Sequence, residues 1–216
     1  MKVLVIPDVH LKPWIFERAA DAMHRAIADK AVCLMDIPDD WNKEFDLELY
    51  IETFDAAIQF AEDFPETIWC WGNHDLSYVW GMTESGFSWF AQNTAASKLA
   101  KLQSILPDIN QLAYLHRIDN VLFCHGGLTD FFVWKHTDPY EYDDIDAVIR
   151  RINSLGCEDM WNNDSPIWFR LHEGEKQVHD LFRGILRRPE VEAGHLLPLP
   201  VGAEAPAAGV ARVRAG

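Results

Sequence analysis

The stretch Lys2-Val3-Leu4-Val5-Ile6-Pro7-Asp8-Val9-His10 decides the fold. An apolar run of strand length ends in a carboxylate and an imidazole, and the pattern returns three times. Ala31-Val32-Cys33-Leu34-Met35 runs into Asp36-Ile37-Pro38-Asp39. Thr67-Ile68-Trp69-Cys70-Trp71 runs into Gly72-Asn73-His74-Asp75, and Asn120-Val121-Leu122-Phe123-Cys124 into His125-Gly126-Gly127. Between the first three runs the apolar spacing turns helical. Ile15, Ala19, Ala22, Met23 and Ile27 predict a helix over 14–29; Leu47, Tyr50, Ile51, Phe54, Ile58 and Ala61 predict one over 47–63, stopped by Pro65. Strand–helix–strand–helix–strand order implies parallel strands with right-handed crossovers, and such sheets hold ligands beyond the carboxyl ends of their strands. All four polar clusters fall there. Carboxylate, imidazole and amide oxygen together suit a hard-to-borderline divalent ion.

Working outward, residues 76–93 are rich in Trp, Phe and Tyr, and the Trp-rich stretch 69–89 reads as core-forming rather than as a base-stacking platform. A helix over 95–105 ends before Pro107. Strands over 112–118 and 120–124 flank Asp119-Asn120, a tight hairpin, and further helices are expected over 143–154 and 175–186. From 183 to 216 the composition changes: Ala, Gly, Pro and Arg dominate and no aromatic residue occurs. The expected organisation is one domain over 1–182 and an atypical, disordered tail over 183–216.

The chain has 216 residues, enough for one sizeable domain. Its 34 acidic and 19 basic residues give a net charge of -15, which argues against a large nucleic acid as partner, since no basic surface offsets phosphate repulsion. Small anionic ligands stay compatible, because a bound divalent ion would dominate the local field. No apolar stretch approaches the roughly 20 residues of a membrane helix. The chain opens in a strand without a signal-peptide pattern, so a cytoplasmic location is expected. Cys33, Cys70, Cys124 and Cys157 form no C-x-x-C pair and read as small apolar residues.

At the four clusters the chain resembles the calcineurin-like metallophosphoesterases, whose blocks run D-x-H, G-D-x-x-D, G-N-H-[DE], a His often followed by glycines, and a late G-H. Asp8/His10, Asp36/Asp39, Gly72 to Asp75 and His125 match the first four in order, over roughly residues 1 to 170. The resemblance implies an α/β sandwich of two sheets flanked by helices, with little chain left here to complete the second sheet. It also implies a dinuclear centre hydrolysing phosphoesters, with Mn expected and Fe, Zn or Ni as other ions the donors would take. Asp8, His10 and Asp36 would hold one ion. Asp36, as bridge, would hold the second with Asn73, His125 and His195, the last in the dipeptide Gly194-His195. His74 would be the general acid, with Asp39 or Asp75 holding its other nitrogen. Arg170, in Ser165-Pro166-Ile167-Trp168-Phe169-Arg170, would bind the substrate phosphate.

Two departures from the family pattern stand out. Met35 occupies a place where the family has Gly, and Asp40 one where its protein phosphatases have Arg. Asp8 and His10, with one residue between them, would point the same way on a strand. His172 and His179 are weaker alternatives to His195, while His24, His116 and His136 lie outside any cluster and read as structural. The resemblance leaves monoester, diester, dinucleoside-polyphosphate and phosphoprotein substrates as rivals, and Asp40 in place of Arg speaks against the phosphoprotein. The rival is a catalytically weak or silent metal-binding module on the same fold.

Overall fold

The computed structural model describes residues 1–142, 144–170 and 209–212. In chain order these form β1 (Lys2–Ile6), α1 (Trp14–His24), β2 (Lys30–Cys33), α2 (Leu47–Asp63), β3 (Ile68–Cys70), α3 (Asn73–Trp80) and α4 (Gln92–Ile105). Then come β4 (Leu112–Ala113), β5 (His116–Ile118), β6 (Val121–Phe123), α5 (Asp130–His136), α6 (Ile145–Asn153), α7 (Cys157–Met160) and β7 (Gly209–Arg212).

The main sheet has the order β4-β3-β2-β1-β7, and β5 pairs with β6 in a second, two-stranded sheet. The β1–β2 and β2–β3 pairs are parallel, as the alternating pattern predicts; β4 also pairs parallel with β3, and β7 lies antiparallel to β1. Successive strand residues face opposite ways, and the core divides accordingly. Leu4, Ile6, Ala31, Cys33 and Trp69 pack with helix residues such as Phe16, Phe54 and Phe60. Val3, Val32, Ile68 and Cys70 pack against Ile118 and Phe123 of the β5–β6 hairpin. The fold is therefore α/β, with two facing sheets and flanking helices. Among the described residues no helix is long and apolar enough to cross a membrane.

Several boundaries differ from the sequence reading. The first helix stops at His24 because Ala26 turns left-handed (φ 53°), and the amide of Ile27 closes back onto the carbonyl of Ala22. The strand expected over 112–118 splits between the sheets. Asn153 holds the break, accepting from the amides of Tyr114 and Leu115 and donating to the Leu115 carbonyl. Gly72-Asn73-His74-Asp75, placed at the end of the third apolar run, opens a helix the sequence reading did not include, α3, with Gly72 as N-cap and left-handed Gly81 as C-cap. The expected helix over 175–186, and His172, His179 and His195, lie outside the described residues. Of the tail expected to be disordered, Gly209–Arg212 forms β7, a Pro-free segment registered Lys2↔Arg212 to Val5↔Gly209. Composition does not reveal it, because pairing with β1 uses backbone groups alone.

Candidate metal centre

Beyond the strand ends, the loops after β1 and β2 are joined backbone to backbone. The amides of Val9 and His10 donate to the Asp36 carbonyl, and that of Leu11 to the Ile37 carbonyl. Asp8 and His10 therefore lie past the strand, and His10 is itself left-handed (φ 43°). The expectation that strand alternation aligns them is corrected: the loop-to-loop pairing sets their directions.

Asp36 is the hub. One carboxylate oxygen accepts from the His74 amide at the start of α3 (3.0 Å), where the helix dipole favours negative charge. The other oxygen lies 3.1 Å from His125 Nε2 and 3.9 Å from His10 Nε2. Two groups of donors converge, each with ligand atoms within 4.8 Å of one another: His10, Asp36 and His74, and Asp8, Asp36 and His125. Asp36 belongs to both. The grouping sets Asp8 with His125, and His10 with His74, where the resemblance sets Asp8 with His10.

The imidazoles are held in fixed tautomers from behind. His10 Nδ1 meets the Asp39 carbonyl at 2.8 Å and His125 Nδ1 the Leu34 carbonyl at 2.7 Å. Carbonyls only accept, so each Nδ1 carries the proton, and each Nε2 is the atom turned to Asp36. Burial pulls the His125 pKa down, yet Asp36, by charge and hydrogen bond, with Asp8 and the Leu34 carbonyl, lifts it to about 9. Arg170 Nη2 also approaches His125 Nε2, at 3.2 Å. That nitrogen thus faces an acceptor and a donor at once. The protonated form balances Asp36 when no cation does; the lone-pair form suits Arg170 and metal ligation.

Burial raises the Asp36 pKa, but His125 outweighs it by charge and hydrogen bond, with His74 and His10 adding to the effect, so the carboxyl stays below its ordinary value. Asp75 is different. It accepts from the amides of Asp36 (2.7 Å) and Ile37 (3.0 Å), while burial and the neighbouring Asp36 charge push it to about 8. Asp75 therefore fixes the Asp36 loop and leaves His74 to Asp39.

Asp39 and His74 meet as the resemblance implies, at 2.9 Å between a carboxylate oxygen and Nδ1. The other Asp39 oxygen accepts from the hydroxyls of Tyr50 (2.7 Å) and Tyr78 (2.5 Å). Burial lowers the His74 pKa, but the hydrogen bond to Asp39 and the charges of Asp36, Asp39 and Glu84 raise it above 6.5. Both tyrosines escape the sequence reading. Tyr50 counts there as part of an apolar stripe, although a buried Tyr hydroxyl needs a partner, and that need is the available signal.

The residues fit a divalent centre. Asn73 Oδ1 is buried with no hydrogen-bond partner in the protein, an arrangement that costs about 1–3 kcal/mol unless something accepts its lone pairs. A Cβ at Gly72 would lie 2.1 Å from Asp36 Oδ1, so the cradle around that carboxylate admits no side chain there. Gly126 and Gly127 serve an adjacent purpose. Their amides donate to the carbonyls of Pro166 (2.7 Å) and Phe169 (2.8 Å), and a Cβ at either would strike this turn, which carries Arg170 to His125. The glycines thus admit the Arg170 segment rather than a ligand.

Met35 is buried and left-handed (φ 61°), so the chain keeps a glycine-like backbone there at a cost of about 1–2 kcal/mol. Asp40 meets Lys12 at 3.4 Å. His116 bonds the Trp69 carbonyl and His136 packs on Phe132, structural roles as expected.

No curated protein and no solved structure matches the chain. A sequence profile described as calcineurin-like phosphoesterase matches residues 1–196, a span that takes in every site residue above and reaches Gly194-His195. Donors converging from four strand ends and a match over most of the length lead to one conclusion: the chain belongs to the calcineurin-like phosphoesterase family.

Proposed function

We propose that the protein hydrolyses phosphoesters of small molecules or phosphoproteins at a dinuclear divalent centre, with Mn²⁺ as the preferred ion. The observation that carries the reading is the single carboxylate of Asp36 shared by both donor groups; one carboxylate can bridge two ions about 3.5–4 Å apart. By family resemblance Asp8, His10 and Asp36 would hold one ion and Asp36, Asn73 and His125 the other, although the donor atoms of Asp8 group with those of His125 and the donor atoms of His10 with those of His74. His195, outside the described residues, would add to the second. Held by these residues, divalent ions would supply Lewis-acid stabilisation of charge on the phosphoryl oxygens and lower the pKa of the attacking water.

The chain's own groups do the rest. Arg170, exposed beside His125, donates to the non-bridging oxygens of the phosphate. His74 delivers its Nε2 proton to the leaving oxygen, a role typically worth 10²–10⁴-fold. Asp39, held by two tyrosine hydroxyls, keeps the His74 Nδ1 proton in place and stabilises the charged ring.

The test is hydrolysis of p-nitrophenyl phosphate and bis(p-nitrophenyl) phosphate before and after exhaustive chelation, with Mn²⁺ added back. The reading requires loss on chelation and recovery with Mn²⁺. Undiminished turnover in excess chelator refutes it, and ion binding without turnover of either ester supports the silent module.

A further inference from the structure

Trp41 stands beside the site with its ring open to solvent. Its centroid lies 5.6 Å from that of His10 and 6.3 Å from that of His74, and the two imidazoles meet edge to face at 5.1 Å. The residue is 55% exposed. Burial would remove a large apolar surface from water, so an indole left open over two site imidazoles leaves a favourable contact to be made.

The wall around it is built. Asp39, two residues before Trp41, is anchored by Tyr50 and Tyr78. Gly86, left-handed at φ +78°, brings the following segment close: a Cβ there would sit 3.6 Å from Asp39 Cβ and 3.9 Å from Trp41 Nε1. Ser88 Oγ donates to the Glu44 carbonyl, tying that segment to the Trp41 loop. Farther along the same two segments, Phe45 and Phe90 are exposed and paired at 6.2 Å between centroids. Contacts thus link Arg170 through His125 and Asp36 to His10, and His10 and His74 to Trp41.

We infer that Trp41 is a stacking platform for a planar aromatic group on the leaving alcohol, which makes nucleotides or arylalkyl phosphates the preferred substrates. The inference rests on the hydrolytic reading above in taking the His74 side as the exit of the leaving group. A general acid must lie within hydrogen-bond reach of the leaving oxygen, so whatever that oxygen carries begins beside His74 and extends over its neighbours. Stacking is uncharged, so it adds affinity in a chain of net charge -15 without needing a basic surface.

The experiment compares substrates that share a leaving oxygen and differ in planarity. Adenosine 5′-monophosphate and ribose 5-phosphate both release a primary alcohol; benzyl and cyclohexylmethyl phosphate form a second such pair. The kcat/KM ratio within each pair is measured with Mn²⁺ for the parent, Trp41→Ala and Trp41→Phe. Equilibrium dialysis of the first pair gives a readout independent of turnover. Stacking of one base is worth roughly 5- to 150-fold, so the parent should prefer the planar member by roughly 10- to 100-fold in at least one pair. Trp41→Ala should bring that ratio near one, and Trp41→Phe should keep most of it. A preference in the first pair alone identifies a nucleobase as the source, and in the second alone a simple aryl ring. If no ester is hydrolysed but Trp41-dependent binding of the nucleotide persists, the hydrolytic reading fails and the platform stands. A parent with no preference in either pair, or a Trp41→Ala protein that keeps the parent's ratio, overturns the inference; equal loss on both members of a pair counts as a kept ratio.

Discussion

Replacing Gly72 by Ala should disable the site through a single methyl group. Gly72 has φ -95° and ψ 163°, ordinary extended backbone that alanine adopts without strain. Only space is at issue. The new Cβ would fall 2.1 Å from Asp36 Oδ1, 2.8 Å from Asp36 Cγ and 2.9 Å from the Asp36 amide nitrogen. Moving the oxygen out from 2.1 Å even to 3.0 Å is a shift of about 0.9 Å. The backbone behind it cannot yield freely, because Asp75 pins the amides of Asp36 and Ile37. Asp36 would lose its bond from the His74 amide, a charge-assisted interaction worth about 1.5–3 kcal/mol; the entropic benefit of Ala over Gly in the unfolded chain returns about 0.4–1 kcal/mol. A displacement of this size at a reacting centre costs on the order of 10²-fold in rate. The expected Gly72→Ala protein is folded, slightly less stable, about 10²-fold slower and short of bound Mn²⁺. Metal content by elemental analysis, thermal melting and p-nitrophenyl phosphate turnover read these outcomes. Gly156→Ala is the control, since nothing lies within 4 Å of a Cβ there. Parental turnover and parental metal content in Gly72→Ala would refute the hub assigned to Asp36.

Other substitutions separate the roles around that hub. His74→Ala should retain both ions and slow poor leaving groups by roughly 10²–10⁴-fold, and p-nitrophenol much less; a variant that loses metal makes His74 a ligand, as its grouping with His10 and Asp36 would allow. Because the His74 pKa is raised by Asp39 and its acid form is the working one, the alkaline limb of the pH–rate profile should lie above the ordinary imidazole range. Asp39→Asn removes the main cause of that shift, so the alkaline limb of the pH–rate profile should move down; an unmoved limb assigns it to another group. Tyr78→Phe takes one donor from Asp39 and leaves the Ser88 amide without its acceptor, so stability should fall by about 1–3 kcal/mol, with metal content intact. Met35→Gly relieves the left-handed backbone but empties a fully buried site, where truncation costs about 2–5 kcal/mol; its melting temperature should drop, and a rise would show that strain outweighs packing at this position.

The centre was legible in the sequence because its residues cluster at strand ends, where an α/β sheet must place them. Asp36, Asn73, His74 and His125 could be named without coordinates for that reason. What stayed hidden involves contacts between distant segments. Tyr50 and Tyr78 lie on different helices and meet only at Asp39. The start of α3 was missed because its eight residues carry aromatic and polar groups without a clean apolar stripe, although Gly72 and Gly81 bracket it. The division of 112–118 between two sheets depends on Asn153, 38 residues after Leu115. Trp41 gave no signal at all, since nothing in a sequence separates an exposed indole from a buried one.

Five non-glycine residues of the site loops, His10, Leu11, Met35, Asp36 and Asp39, hold left-handed backbones. Each costs on the order of 1–3 kcal/mol, and such strain persists only where the surroundings enforce it. The segments 8–11 and 35–39 are held by one another's amides and by a few buried carboxylates whose mutual repulsion a cation relieves. Amide hydrogen exchange should therefore find the least protected backbone of the sheet region at the site itself in metal-stripped protein, while the strand amides of Val5 and Val32 exchange slowly. Adding ions should protect those loops first, raising the melting temperature in proportion to the logarithm of free ion concentration. On the hydrolytic reading the site loops should then be the least protected part of the fold, and ion supply should set how long the protein lasts as well as how fast it works.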